Sequence, residues 1–369
     1  MPAPVRRRTP APRRAPLIAT ISAIVLLAPA GGVAQAASGS GGPDAGTGGS
    51  TEGRETRAEV RPAAGLRRAT VEVDNDAFNF WIHPAKRPDR EYTSGVRVAF
   101  ARPGGPGWAR RLAPGRDVSC SAGGDDACLA TRFEVGHEMY NPRRLPYSGP
   151  TWSEDRPYAA FLRGTWGVEA AAPRVLRATS LTVGGTGDLA FGEFAQRTAH
   201  KLNNYRYLPT GWETQIRTEL GLLLEARQRA LHTEGLDGAR RVFDFSSDLG
   251  ASLGNVRTGL DAGVRARLGR DLSHPWRRAP GEHRAKVEWY VVGGTSLHAV
   301  AHSLFLDGNT FDPQRSVQRA PLYVEGDLGL AFRVHSVTMS YRAVTRTKEY
   351  RTGPHRHTHG ALALTVDAW

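Results

Sequence analysis

The chain has 369 residues, 40% of them hydrophobic and 23% charged, with a formal charge of +13 and two cysteines. Two cysteines are too few for a disulfide-built scaffold, and beyond Ala28 no stretch approaches the ~20 apolar residues of a spanning helix, so a helical membrane protein is excluded. The basic excess suits nucleic acid or anionic headgroups; no nucleic-acid motif is present, so nucleic acid is not an expected partner and a lipid surface is.

Arg6, Arg7, Arg8, Arg13 and Arg14 form a basic start, Leu17 to Ala28 is apolar, and Ala34-Gln35-Ala36 is a small-x-small cleavage site. That order predicts a cleaved secretory signal over residues 1–36. The Arg13-Arg14 pair alone does not make a twin-arginine signal, and an ordinary Sec signal is the better reading. Residues 37–66 are rich in Gly, Ser, Thr and Pro, with no large apolar residue before Val60, and read as a disordered leader. Without the signal the formal charge is +8. Residues 67–369 remain for one domain, long for a single soluble core but ordinary for a barrel. In an exported protein, Cys120 and Cys128 read as a small loop disulfide rather than as a metal site without a nearby His.

The rest alternates with a period of two. Thr70 to Asp74, Gly95 to Phe100, Arg132 to Glu138, Tyr158 to Glu169, Arg177 to Thr186 and Glu219 to Arg229 are candidate strands. Val242 to Leu253, Thr258 to Leu268, Ala285 to Gly293, Ser296 to His302, Leu322 to Val334, Ser336 to Thr345 and Gly360 to Trp369 follow. Repeated alternation between turns is the mark of a transmembrane barrel, so the expected fold is all-β: a closed antiparallel transmembrane β-barrel of about 12 strands. Arg227 with Arg229, and Arg265 with Arg267, share strands with apolar residues; a polar lumen tolerates that and a sandwich core does not. The alternating end Leu362, Leu364, Val366, Trp369 resembles the signal read by the barrel assembly machinery, an expected partner during biogenesis.

One stretch, near residues 188–204, lacks alternation and predicts a short loop helix, with Asp188 as its cap. In it, Glu193, Gln196 and His200 share one face, and Phe191, Phe194 and Thr198 another. Asp74-Asn75-Asp76 closes the first strand and Tyr92-Thr93-Ser94-Gly95 opens the second. A hairpin makes these groups neighbours. Their oxygens are hard ligands suited to calcium, and Asn-Asp runs are equally ordinary turn formers.

The run Glu72-Val73-Asp74-Asn75-Asp76-Ala77-Phe78 followed by Tyr92-Thr93-Ser94-Gly95 resembles the opening of the outer-membrane lipid A 3′-O-deacylase family. The resemblance continues in order through Asp155-Arg156-Pro157-Tyr158-Ala159, Gln196-Arg197-Thr198-Ala199-His200, Gly211-Trp212-Glu213-Thr214-Gln215, Ser252 to Val256 and Phe305 to Phe311, and covers the chain from about Glu72 to Trp369. It implies a twelve-stranded barrel in the bacterial outer membrane and calcium-dependent hydrolysis of the ester-linked 3′-acyloxyacyl group of lipid A in lipopolysaccharide, at a site between the barrel wall and a short helix. Carried onto this sequence, it makes His200 the base that activates water, places calcium at Asp76 with Asn75 or Thr93 beside it, and gives Gln196 an orienting role. Arg156 is then suited to a lipid A phosphate, or else pairs with Asp155 or a barrel carboxylate. The family's carboxylate shortly after the His is missing, since residues 201–207 hold no acid and Glu213 comes next.

Two other readings stand beside this one. An outer-membrane phospholipase would use a Ser-His pair, for which Ser94 is the available serine; a non-enzymatic barrel, either a pore or an inactive relative, would use neither. Three histidines, His355, His357 and His359, follow Gly353-Pro354 and are expected at a solvated turn. His298 and His302 are expected to share a lumen face.

Overall fold

Alternation decides each strand, because successive side chains must face hydrocarbon and lumen in turn. The computed structural model describes residues 68–80, 90–112, 128–143, 154–202, 209–276, 287–313 and 315–367. Its strands are β1 (Arg68–Asn75), β2 (Glu91–Pro103), β3 (Cys128–Asn141), β4 (Ala159–Ala171), β5 (Val175–Thr186) and β6 (Leu220–Asp237). They continue with β7 (Arg240–Gly254), β8 (Arg257–Arg270), β9 (Val287–Ser303), β10 (Leu322–Val334), β11 (Val337–Thr347) and β12 (Arg356–Asp367). Each pairs antiparallel with its sequence neighbour, and β1 pairs with β12 from Arg68↔Asp367 to Asn75↔Gly360, which closes the barrel. Helix α1 spans Gly192–Leu202 and the single turn α2 spans Leu304–Asp307.

The outward face carries the large apolar side chains, such as Leu181 and Val183 on β5, Leu220, Leu222 and Leu224 on β6, and Leu328, Leu330 and Phe332 on β10, all exposed. The inward face carries charges, and they are paired. Arg97 joins Glu72 and Asp74, Arg163 joins Glu134 and Glu138, Arg229 joins Asp248, Arg265 joins Asp327 and Arg267 joins Asp244. Of the arginines that argued for a lumen, Arg229 and Arg267 meet carboxylates on the adjoining strand β7 and Arg265 reaches across β9 to Asp327 on β10, which is how a confined cation is kept.

The turns at 172–174, 238–239 and 335–336 and both termini of the barrel lie at one end, the periplasmic end of such a fold. The described connecting segments 76–80, 154–158, 187–195, 209–219, 304–313, 315–321 and 348–355 gather at the other. There, Ile216, Leu304 and Phe305 pack inside the mouth against Tyr92, Tyr140, Phe161 and Val256.

Two expectations are corrected. The candidates Ala285 to Gly293 and Ser296 to His302 are not two strands: from Val287 on they form the single strand β9, with Gly293 and Gly294 inside it. The expected break falls at Gly294 and Thr295, yet a Cβ at Gly294 would lie 3.1 Å from Asp327 Oδ1 and 3.3 Å from Arg265 Nη2, so the glycine makes room for a lumen ion pair. His357 and His359 are not at a solvated turn. Both are buried on the inward face of β12, His357 Nε2 lies 3.0 Å from the Tyr92 carbonyl and His359 stands edge-on to the Tyr92 ring; only His355 is exposed. His298 does face the lumen, 2.6 Å from Asp261 Oδ1 and stacked on Tyr323. The signal and leader, Cys120, the side chain of Cys128 and Trp369 lie outside the described residues.

Gly294→Val should cost about 1–3 kcal/mol by displacing the Arg265–Asp327 pair. Urea unfolding of the barrel in vesicles measures it, and a midpoint equal to wild type would show that the space is not needed.

Candidate functional site

A β-bulge shapes the rim. Gly95 pairs with Glu138 and Ser94 with Met139, but Tyr92 then pairs with Tyr140, so Thr93 is an extra residue in β2. The slip turns Tyr92 into the lumen, where its hydroxyl donates to Asp74 Oδ2 at 2.7 Å, while Ser94 stays on the outward face opposite Asn75 and Met139. Bulges re-aim side chains in this way beside functional sites.

The bulge and the end of β1 bring three predicted residues together. Asn75 ends β1 and caps the 3-10 turn Asp76–Phe78, its Oδ1 accepting from the Ala77 amide at 2.7 Å. Asp76 Oδ2 accepts from the Thr93 hydroxyl at 3.2 Å and from the Arg90 amide at 3.1 Å. Asp76 and Thr93 are buried. The donor set is one carboxylate, one amide oxygen and one hydroxyl. In kind these fit calcium, which prefers hard oxygens; in number they supply three of the roughly 6–8 oxygens that the ion takes, and main-chain carbonyls, water or an ester would have to complete the shell. Among the described residues no group of three His, Cys, Asp or Glu side chains is placed to bind a metal.

Gln196 and His200 are on α1, as expected; Gln196 is buried, His200 half-buried and Glu193 exposed. From Gln196 onward the helix belongs to a compact unit separate from the barrel unit of Pro62–Ala195 and Pro209–Trp369. Asp188 is not the cap of α1. It sits in the 3-10 turn Gly187–Ala190, where its carboxylate accepts from Gln215 Nε2 at 3.0 Å.

Arg156 meets carboxylates rather than an open phosphate site. It is 2% exposed, its Nη1 lies 3.3 Å from Glu91 Oε2 and 3.9 Å from Glu349 Oε2, and its guanidinium covers the Tyr140 ring at 4.4 Å. Burial alone would lower its pKa, but Glu91 and Glu349 outweigh that and hold it up. A cation so buried needs its counter-ions, which is why the pairing alternative prevails.

Three residues escaped sequence reasoning. His137 lies on the outward row of β3 with Phe133 and Val135, and its Nε2 is 2.7 Å from the Ala190 carbonyl. It docks the segment before α1 on the outer wall, where Met139, Tyr158, Ala160, Ala190 and Trp212 form an apolar cluster. Gly192 lies against Trp212 and Ala160, leaving no space for a Cβ. The available signal was a lone imidazole in phase with lipid-facing residues. Glu219, just before β6, is the second: its carboxylate accepts from Asn255 Nδ2 at 2.8 Å, Asn309 Nδ2 at 3.0 Å and the Thr310 amide at 2.9 Å. The two late sequence blocks, around Asn255 and Asn309, thus meet on one carboxylate. Glu91, the counter-ion of Arg156, is the third, and nothing in its spacing marked it.

The family described as outer membrane protein LpxR matches residues 21–368. The chain belongs to the LpxR family. Among solved structures, LpxR from Salmonella typhimurium superposes with a TM-score of 0.64 at 19% identity, covering 82% of this chain and 100% of that one, which shows a shared fold. The β domain of the Bordetella autotransporter BrkA gives a TM-score of 0.41 at 7% identity, covering 82% and 99%. No curated protein matches the chain. For an LpxR-family outer-membrane barrel, the row Asn75, Ser94, Met139, Ala160 across β1 to β4 lies on the outward side of the wall, with Met139 and Ala160 covered by the cluster around Trp212.

Two outcomes are expected. His137→Leu removes one bond worth about 1 kcal/mol, so the amides of residues 191–195 should exchange hydrogen roughly five-fold faster; an unchanged rate would show that His137 does not dock the segment. Burial would raise the Glu219 carboxyl, but hydrogen bonds from Thr310, Asn309 and Asn255 outweigh it and hold the pKa below the ordinary value. The clamp therefore stabilises above the unfolded value of about 4.3 and is lost as pH falls through the lower folded value. Amide protection at Asn309 and Thr310 should drop in that acid window, and Glu219→Gln should abolish the pH dependence.

Proposed function

We propose that this LpxR-family barrel is an outer-membrane lipid A 3′-O-deacylase, a calcium-dependent carboxylic ester hydrolase acting on lipopolysaccharide in its own membrane. The observation that carries the reading is the junction of β1 with the β2 bulge, which joins Asp76 to Thr93 and seats Asn75 beside them at the rim.

In this mechanism His200 takes a proton from water as the oxygen attacks the ester carbonyl, and Gln196, one turn earlier on α1, orients it. The tetrahedral oxyanion collapses, the bond between the former carbonyl carbon and the ester oxygen of the sugar breaks, and the imidazolium returns its proton to the departing sugar alkoxide, releasing the acyloxyacyl chain as a fatty acid. No covalent intermediate is needed. Asp76, with Asn75 and Thr93, would hold the calcium, which when bound polarises the ester carbonyl. Arg156 and Glu91 keep the rim rigid. Glu213, the first acid after His200, is exposed on the 3-10 turn Trp212–Thr214.

A phospholipase remains the second reading because Ser94 stands on the outward row opposite Asn75. The apolar filling of the mouth by Ile216, Leu304 and Phe305 runs against a passive pore.

Purified protein in mixed micelles with calcium should shorten lipid A by its 3′-acyloxyacyl group, read by mass spectrometry. His200→Ala and calcium chelation should each reduce turnover by roughly 100-fold or more. Equal products from wild type and His200→Ala would sink the proposal, and cleavage of phospholipid abolished by Ser94→Ala would favour the rival.

A further inference from the structure

The connection between β5 and β6 leaves its apolar side chains outside the barrel. Leu189 packs on the outer wall: a Cβ at Gly185, an outward position of β5, would lie 3.3 Å from Leu189 Cβ. Gly185 pairs with Leu220, and the rows below it are the exposed Val183, Leu222, Leu181 and Leu224, the lipid-facing band. Leu189 thus continues that band upward. Phe191 and Phe194 follow it, 61% and 71% exposed.

This exposure is built. Phe191 holds φ 52°, a left-handed conformation that costs a bulky residue and favours glycine or asparagine. Its amide bonds the Asp188 carbonyl at 3.2 Å and its carbonyl accepts from the Ala195 amide at 3.0 Å, so it is the pivot between the 3-10 turn and α1. The segment is held by polar bonds: the Ala190 carbonyl lies 2.7 Å from His137 Nε2, Gln215 Nε2 donates to Asp188 Oδ1 at 3.0 Å, and the Asp188 amide donates to Thr218 Oγ1 at 3.2 Å. Two adjoining phenylalanines exposed at such a pivot, continuous with a hydrocarbon-facing band, mark a lipid contact rather than a water-facing loop.

We infer that Leu189, Phe191 and Phe194 form a ridge immersed in the outer leaflet that seats acyl chains of lipid A, so that the ester reaches the rim sideways through the membrane over β5 and β6 and not through the lumen. The identity of the lipid rests on the deacylase reading; the ridge rests on the geometry above.

Site-specific photo-cross-linking tests it. Phe191 or Phe194 is replaced by p-benzoylphenylalanine in the full-length chain, folded into phosphatidylethanolamine vesicles with lipid A as a minor component. The lipid-facing Leu222 and the exposed Arg351 are replaced as controls. Positions 191 and 194 should yield lipid A adducts several-fold above its mole fraction, Leu222 adducts that follow bulk composition, and Arg351 none. No lipid adduct at 191 and 194 while Leu222 labels, or adducts there that mirror the bulk lipid, overturns the inference. Cross-linking needs no turnover, so a protein that labels without cleaving lipid A fails as a deacylase yet keeps its ridge, and one that cleaves without labelling does the reverse.

Discussion

Closing β1 onto β12 leaves no strand edge in hydrocarbon, where an unpaired amide or carbonyl has no water to turn to. Eight residue pairs make that seam. Once the sheet is closed, every side chain must go outward into lipid or inward into the lumen. A chain with this many arginines must then neutralise them inside. The lumen pairs of Arg97, Arg163, Arg229, Arg265 and Arg267 follow from that constraint. So does the glycine at 294, which gives up a side chain so that Arg265 and Asp327 can meet.

The same rule shapes the rim. A closed wall offers few places where a polar group can sit near lipid without being surrounded by it. The extra residue at Thr93 creates one. It interrupts the in-out rhythm, sends Tyr92 inward to Asp74, and leaves a short polar step of Asn75, Asp76 and Thr93 at the top of the seam.

Inside and outside are treated differently at this end. Inside, the mouth is filled by aromatic and aliphatic side chains over a buried cluster of Arg156, Glu91 and Tyr350, whose hydroxyl lies 2.8 Å from Glu91 Oε1. Outside, the segment before α1 is docked on the wall by His137 and the cluster around Trp212.

Much of this was written in the sequence. Period-two alternation determined a barrel and nearly its strand number, because side-chain direction in a strand depends only on residue parity. The lumen role of Arg229, Arg265 and Arg267 followed from the same parity, and the break in alternation near residues 188–204 marked the loop helix. The nearness of Asn75, Asp76 and Thr93 needed only the assumption of a hairpin. What sequence could not determine was everything set by contact between strands far apart in the chain. Gly294 and Thr295 read as a break between two strands because their neighbours on β8 and β10 are invisible in sequence. His357 and His359 read as solvated because the Tyr92 that covers them is some 265 positions away. Arg156 found Glu91 at a separation of 65 residues, and Glu219 gathered Asn255 and Asn309 from two other loops. Local pattern assigns each side chain to a face; only closure of the sheet assigns it a partner.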